Sequence, residues 1–172
     1  MKRIMILGKP GSGKSTLSRR LARETQIPLH ALDIIEYKKS GERIDQASYL
    51  EIHENIIAEE SWIIEGLGLM ESFFQRLEVA DTVIYIDVPY LLSYWWVTKR
   101  FLKGLFIHPQ GWPQGCSVVK GTWRSYKVLR LCPQFWNREF MEKLQGLSTC
   151  KSVYIIRSAH ELNHFVEKEV AC

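Results

Sequence analysis

A parallel α/β sandwich is the fold class this sequence predicts, and three observations predict it. Short apolar runs of strand length alternate with stretches of helical periodicity, a glycine-rich loop separates the first strand from the first helix, and no internal repeat interrupts the rhythm. Strands that alternate with helices are joined by crossovers, so they pair in parallel with both faces of the sheet covered. The 172 residues, 46% hydrophobic and 24% charged, suffice for one buried core, and a single domain over residues 1–172 is expected.

Each element follows in order. RIMIL is an isoleucine-containing run bounded by Gly8 and reads as a buried strand. Lys14 to Thr25 follows as a helix with Leu17 and Leu21 one turn apart. PLHALD and SWIIEG are the second and third strands, and between them SYLEIHENIIAEE places Tyr49, Ile52 and Ile56 on one helical face. GLMESFFQRLEVA reads as a helix with Met70, Phe73, Phe74 and Leu77 inward, followed by TVIYID as the fourth strand. Pro89 stands at a favourable first-turn position for PYLLSYWWVTKRFLK, a mostly buried helix. SVYIIR and AHELNHFVEKEV supply the fifth strand and the closing helix.

Composition excludes several classes. The longest apolar stretch, VADTVIYIDVPYLLSYWWV, contains Asp81, Asp87 and Pro89 and is no membrane span. The basic start MKRIMILG leads into a glycine loop after too short an apolar run for a signal peptide. Cys116, Cys132, Cys150 and Cys172 lack zinc-site spacing and read as reduced thiols, so a cytoplasmic protein is expected. HELNH, His160 to His164, matches H-E-x-x-H literally, but Leu162, Val166 and Val170 mark the buried face and only eight residues follow, so a zinc protease is not expected.

Charge is uneven. From Val88 to Arg138 there is no Asp or Glu but eight basic residues (Lys99, Arg100, Lys103, Lys120, Arg124, Lys127, Arg130 and Arg138), with five of the six tryptophans. A field of one sign this concentrated favours polyanions, either nucleotide phosphates or a nucleic-acid backbone on which aromatic rings stack bases. A solvated basic helix face beside packed aromatics accounts for the same residues.

The most specific signal is GKPGSGKST, residues 8–16, which fits G-x-x-x-x-G-K-[ST] with Gly8, Gly13, Lys14 and Ser15. The loop as a whole (Gly8, Lys9, Pro10, Gly11, Ser12, Gly13, Lys14, Ser15 and Thr16) is the candidate nucleotide cradle. Its glycines let backbone N–H groups and a helix N-terminus wrap a phosphate. Lys14 then reaches the β and γ phosphates of ATP and Ser15 ligates Mg²⁺.

The loop resembles that of adenylate kinases and related small P-loop kinases. With WIIEG, ADTVIYIDVP and the arginine-containing TKRFLKG, nearly the whole chain resembles the topology-modulation (FlaR-type) branch, often described as adenylate-kinase-related. The resemblance implies a three-layer α/β/α sandwich of the nucleoside monophosphate kinase type, a five-stranded parallel sheet in order 2-3-1-4-5, and ATP with Mg²⁺ as ligands. It implies no particular acceptor. IIEG stands where an Asp-Gly is usual.

Asp33 and Glu65 close the second and third strands and so flank the crevice at the carboxyl edge of the sheet. Asp33 is the candidate for orienting or deprotonating an acceptor hydroxyl, with ligation of a Mg²⁺-bound water as its second possibility. Glu65, with Gly66 after it, is the candidate for the metal's outer shell and the acceptor pocket, and a helix cap or surface carboxylate is the plain alternative for both acids. Asp87 reads as a cap. The segment about 103–120 holds GLFIHPQGWPQGC and matches a kinase lid in position, with Arg100 before it as the first lid arginine and Arg124 or Arg130 as the second. Residues about 34–60 correspond to the acceptor-binding insert, where Arg43 would clamp an anionic group. KKSGER is also what an exposed loop looks like, and the absence of TGD-x-x-R argues against AMP.

The reading is an ATP- and Mg²⁺-dependent phosphotransferase acting on a small acceptor. The alternative is a nucleic-acid-associated ATPase or DNA topology modulator using segment 88–138, and a third is a nucleotide-binding regulator without turnover. Size favours the first, because coupling hydrolysis to DNA remodelling usually takes further domains.

Overall fold

The computed structural model describes residues 1–37, 42–104 and 117–170. In chain order the elements are β1 (Arg3–Gly8), α1 (Lys14–Thr25), β2 (Leu29–Ala31), α2 (Leu32–Ile35), α3 (Gln46–Ala58), β3 (Trp62–Glu65), α4 (Met70–Val79), β4 (Thr82–Ile86), α5 (Tyr90–Gly104), α6 (Val118–Phe135), α7 (Arg138–Gly146), β5 (Ser152–Ile156) and α8 (Ala159–Glu169). The strands form one sheet in the order β2-β3-β1-β4-β5, and every pairing is parallel.

Strand periodicity splits the core in two. Ile4, Ile6, Ile63, Ile84 and Ile86 point to one face, where Leu17 and Leu21 of α1 and Leu162, Phe165 and Val166 of α8 cover them. Met5, Leu7, Ile64, Val83 and Tyr85 point to the other, against Tyr49 and Ile56 of α3, Phe73 of α4 and Leu144 of α7. These side chains are almost wholly buried, each contributing roughly 1.5–3 kcal/mol by the usual transfer scale. The expected three-layer fold and strand order are therefore present.

Four details depart from the sequence expectations. The second strand stops at Ala31, because its partner β3 ends opposite at Glu65, and the unpaired continuation coils into α2. In α3 the inward position between Tyr49 and Ile56 belongs to His53, while Ile52 is exposed. Met70 and Phe74 of α4 face solvent, Phe74 at 61% exposure, and Ser72, Phe73 and Arg76 face in. The helix after Pro89 is not mostly buried: only Ser93 and Val97 are, and Leu91, Trp95 and Leu102 are exposed, because α5 touches the body through one narrow stripe over the glycine loop.

Between α3 and α4 lies a polar cluster that pattern reading passed over. The fully buried Arg76 donates to Leu67 O at 2.6 Å and to Ser72 Oγ at 3.0 Å, and Tyr49 Oη lies 3.2 Å from the same Ser72 oxygen. This anchors the loop after β3. Gly68 sits in that loop at φ +62°, where a Cβ would come within 2.2 Å of Tyr49 Oη. Gly68→Ala is expected to destabilise the fold by about 2–3 kcal/mol, read as a lowered urea midpoint at unchanged slope. An unchanged midpoint would show that the cluster tolerates movement.

His53 is buried beside Arg76, with neither ring nitrogen hydrogen-bonded, and stacks on Tyr49 at 6.2 Å between centroids. Loss of hydration, and after it the Arg76 charge, lowers its pKa to about 4. The unfolded chain therefore takes up a proton that the folded chain refuses. His53 is expected to cost up to about 3 kcal/mol of stability as pH falls from 6.5 to 4. Urea melts across that range should show a shallower loss in His53→Gln, and parallel profiles would refute the assignment.

Candidate active site

The loop between β1 and α1 lies at the carboxyl edge of the sheet, and its shape follows from its residues. Gly13, in a left-handed conformation, caps α1 through its carbonyl, which accepts from Thr16 N and Leu17 N at 3.0 Å. The first turn of α1 has neither a side-chain cap nor an acidic residue, so its amide groups and positive dipole end are left for an anion. At Gly11, φ is +67° and a Cβ would meet Ser93 O at 2.6 Å and Val97 Cγ2 at 2.7 Å, so α5 crosses the loop too closely for any side chain. The loop is thereby pinned from above by α5.

The two lysines of the motif do different work. Lys14 Nζ is turned back onto Lys9 O at 2.9 Å. Burial lowers its pKa, against the raising effect of Glu65 and Asp33 and with a smaller lowering from Arg100. Lys9 is only 1% exposed, and its Nζ donates to Asp87 Oδ1 at 2.7 Å while lying 4.4 Å from the centre of the Tyr90 ring. Its backbone serves the loop while its side chain is committed beneath it. Asp87 is thus the counter-charge of Lys9 rather than a cap, and Tyr85 Oη also donates to it at 3.3 Å. Spacing alone carried no signal for this pair, which is joined across 78 residues of chain.

Glu65 is 8% exposed, at the end of β3. Desolvation raises its pKa, opposed by the Lys14 charge and a hydrogen bond from Ser15 and reinforced by Asp33. Asp33 stands in the first turn of α2, beyond the end of the strand. Arg100, on α5, donates through Nη2 to Ser125 Oγ at 3.0 Å; burial lowers its pKa and Asp33 opposes that shift. Lys14, Ser15, Asp33, Glu65 and Arg100 thus share one electrostatic neighbourhood, assembled from α1, α2, β3 and α5. Gly66, directly after Glu65, takes φ +108° and turns the chain away beside Leu32.

The remaining candidates lie further out. Arg43 is paired with Glu36 at 2.8 Å and lies against the Tyr37 ring. Tyr37 Oη accepts a short hydrogen bond from Arg124 Nη1, which ties the chain after α2 to α6. The lid-like segment of about 103–120 falls mostly on residues 105–116, outside the described residues. His160 and His164 are exposed on α8, and Glu161 between them caps the helix, accepting from Arg157 N at 2.8 Å. That carboxylate is turned to the helix end rather than toward a metal site.

The residues present fit a nucleotide triphosphate with a hard divalent cation. The uncapped helix start suits phosphate, and Lys14 is held by a carbonyl it can release. Ser15 beside Glu65 and Asp33 offers the few oxygen donors that Mg²⁺ takes when phosphates and waters complete its shell. No helix among the described residues is long and apolar enough to cross a membrane.

The loop, the strand order and the flanking helices give the chain the fold of small P-loop kinases. The model of the family described as "ATPase family associated with various cellular activities (AAA)" matches residues 4–88, the stretch from β1 through the end of β4. Shikimate kinase from Bacteroides fragilis is 35% identical over 102 residues, spanning 51% of this chain and 57% of that relative. The match thus covers little more than half of either protein. Among solved structures, shikimate kinase from Bacteroides thetaiotaomicron aligns with a TM-score of 0.53 at 17% identity, over 97% of this chain and 95% of that one. A sugar kinase from Janibacter sp. aligns with a TM-score of 0.51 at 15% identity, over 99% and 93%. At such identities the structures establish the fold alone.

Proposed function

We propose that this chain is an ATP- and Mg²⁺-dependent phosphotransferase that moves the γ-phosphoryl group to a small acceptor. The observation that carries the reading is the convergence of Asp33, Glu65 and Arg100 on the Lys14–Ser15 end of an uncapped, glycine-shaped loop. A loop that only held nucleotide would not need an acid and an arginine facing the terminal phosphate. The relatives named as shikimate and sugar kinases support the same reaction class. Placement in the topology-modulation branch rests on the sequence resemblance.

In this reading the backbone of residues 8–16 holds the phosphates and Lys14 swings from Lys9 O onto the β and γ oxygens. Ser15 would ligate Mg²⁺ and Glu65 would hold its outer shell, and the ion would supply charge neutralisation for the phosphates. Asp33 orients the acceptor hydroxyl and takes its proton as the acceptor oxygen bonds to the γ-phosphorus and the bond to the β–γ bridging oxygen breaks, releasing ADP. Arg100 meets the charge that develops on the transferring group. Arg43, Gly66 and residues about 34–60 frame the acceptor, with Arg124 or Arg130 as the second arginine.

The test is ADP formation from ATP and Mg²⁺ across a panel of shikimate, sugars, nucleosides and nucleoside monophosphates, with Lys14→Ala as control. Acceptor-dependent ADP that vanishes in the variant is expected. Exposed Trp95 and Trp123, at 58% and 64%, sit in the basic segment and favour one second reading, a nucleic-acid-associated ATPase. ADP formation that ignores every acceptor but rises with DNA or RNA, and falls steeply with salt, would replace the first reading by the second.

A further inference from the structure

Next to the catalytic cluster, on the α1 side of the sheet, is a cavity of about 360 Å³ lined by Arg19, Leu29, His30, Ala31, Ile34, Ile35 and Glu65. Two of its polar atoms, Glu65 Oε2 and His30 Nε2, are buried without a hydrogen-bond partner, and Arg19 stands exposed at its edge. Glu65 is buried and its Oε2 has no hydrogen-bond partner, although such an oxygen normally finds one. Arg19 lies one turn beyond Ser15 on the same flank of α1, roughly 6 Å along the axis. Its guanidinium makes no hydrogen bond or ion pair among the described residues, and it acts on Glu65 only through its charge. Between them the wall is mostly apolar, from Leu29, Ala31, Ile34 and Ile35, with His30 as its one further polar member, its Nε2 3.4 Å from Glu59 Oε2.

We propose that this cavity is a binding pocket for the acceptor, which is a small hydroxylated molecule carrying one anionic group. Arg19 holds the anion, and Glu65 accepts from a hydroxyl at the end nearest Ser15. The inference rests on the phosphotransferase reading and adds a substrate class and an anchoring residue to it. The charges fix the polarity of the ligand: a buried carboxylate oxygen without a partner calls for a donor, and an exposed guanidinium with no partner among the described residues is available to a carboxylate or a phosphate. The apolar wall takes the carbon frame. The volume lies at the small end of ligand pockets, which suits a molecule of sugar-acid size. The spacing keeps the hydroxyl end beside the Ser15–Glu65 contact, where a γ-phosphoryl group held by Lys14 would lie.

The experiment is calorimetric titration of the full chain, with Mg²⁺ and a non-hydrolysable ATP analogue, by four probes: shikimate, gluconate, glucose 6-phosphate and glucose. At least one anionic probe is expected to bind more tightly than glucose, and the carboxylate and phosphate arms show which anion is preferred. Arg19→Ala is expected to weaken that probe by about 10- to 100-fold and Arg19→Lys by less, with glucose unaffected by either change. Retained binding of the ATP analogue shows that a variant has folded. Equal anion affinity in wild type and Arg19→Ala, glucose bound as tightly as the anions, or no probe bound would each overturn the proposal. Lys14-dependent ADP formation, measured in parallel, separates the two levels of the argument. Turnover on an acceptor that Arg19→Ala leaves unchanged refutes the pocket alone, whereas no Lys14-dependent turnover on any acceptor refutes the phosphotransferase reading as well.

Discussion

Lys14→Ala is expected to lower acceptor-dependent ADP formation by about 10³-fold or more while the fold persists. The ammonium rests on Lys9 O and has no carboxylate within salt-bridge distance among the described residues, so among them only a carbonyl contact is given up when phosphates arrive. Its removal takes charge from the position where the β and γ oxygens are held. It also withdraws the charge that most opposes the upward shift of the buried Glu65, so the pKa of Glu65 rises further, which in the proposed reaction weakens its hold on a metal-bound water. Steady-state rates with a thermal melt on the same sample check this. A variant that melts like the wild type and keeps its rate would remove the loop from the reaction.

Arg100→Ala is the second large effect, expected at about 10³-fold in kcat, with a smaller rise in the KM for ATP. Arg100 is partly buried and hydrogen-bonded to Ser125, and Asp33 counters the desolvation that lowers its pKa. In the proposed reaction this arginine meets the negative charge that develops on the transferring group. Arg124 is differently placed, exposed and hydrogen-bonded to Tyr37, so Arg124→Ala is expected to cost less in kcat. Measuring both variants at saturating ATP decides between them. A larger loss in Arg124→Ala would reverse the two roles.

The fold was legible because its signals are local and periodic. Five apolar runs bounded by turns, and helices between them, leave a parallel sheet as the arrangement that covers both faces, and the resemblance supplied the strand order. The loop was legible because G-x-x-x-x-G-K-S describes a backbone requirement, seen at Gly8 and Gly13 as positive φ with a Cβ excluded by Ile86 O at 2.7 Å and Leu162 Cδ2 at 2.6 Å. Burial within helices was read less well. His53 and Arg76 occupy inward positions that apolar periodicity assigned to neighbours, because a polar side chain is held inside by contacts that periodicity does not encode: hydrogen bonds to Ser72, Leu67 and Tyr49 for Arg76, and the Tyr49 ring for His53.

The sequence by itself determined the sheet, the phosphate loop and the names of the acids and arginines able to face it. Only the tertiary structure decided what those side chains do. Lys9 turned beneath the loop to Asp87, since a buried ammonium requires a counter-charge and β4 brings one there. Asp33 passed from strand end to helix start because its neighbouring strand had ended. Arg43 was taken by Glu36, and Arg19, which no motif marked, was left facing a cavity with Glu65. Local patterns follow from backbone sterics and the period of each element, whereas pairing of charges depends on distances that exist only once the chain is packed.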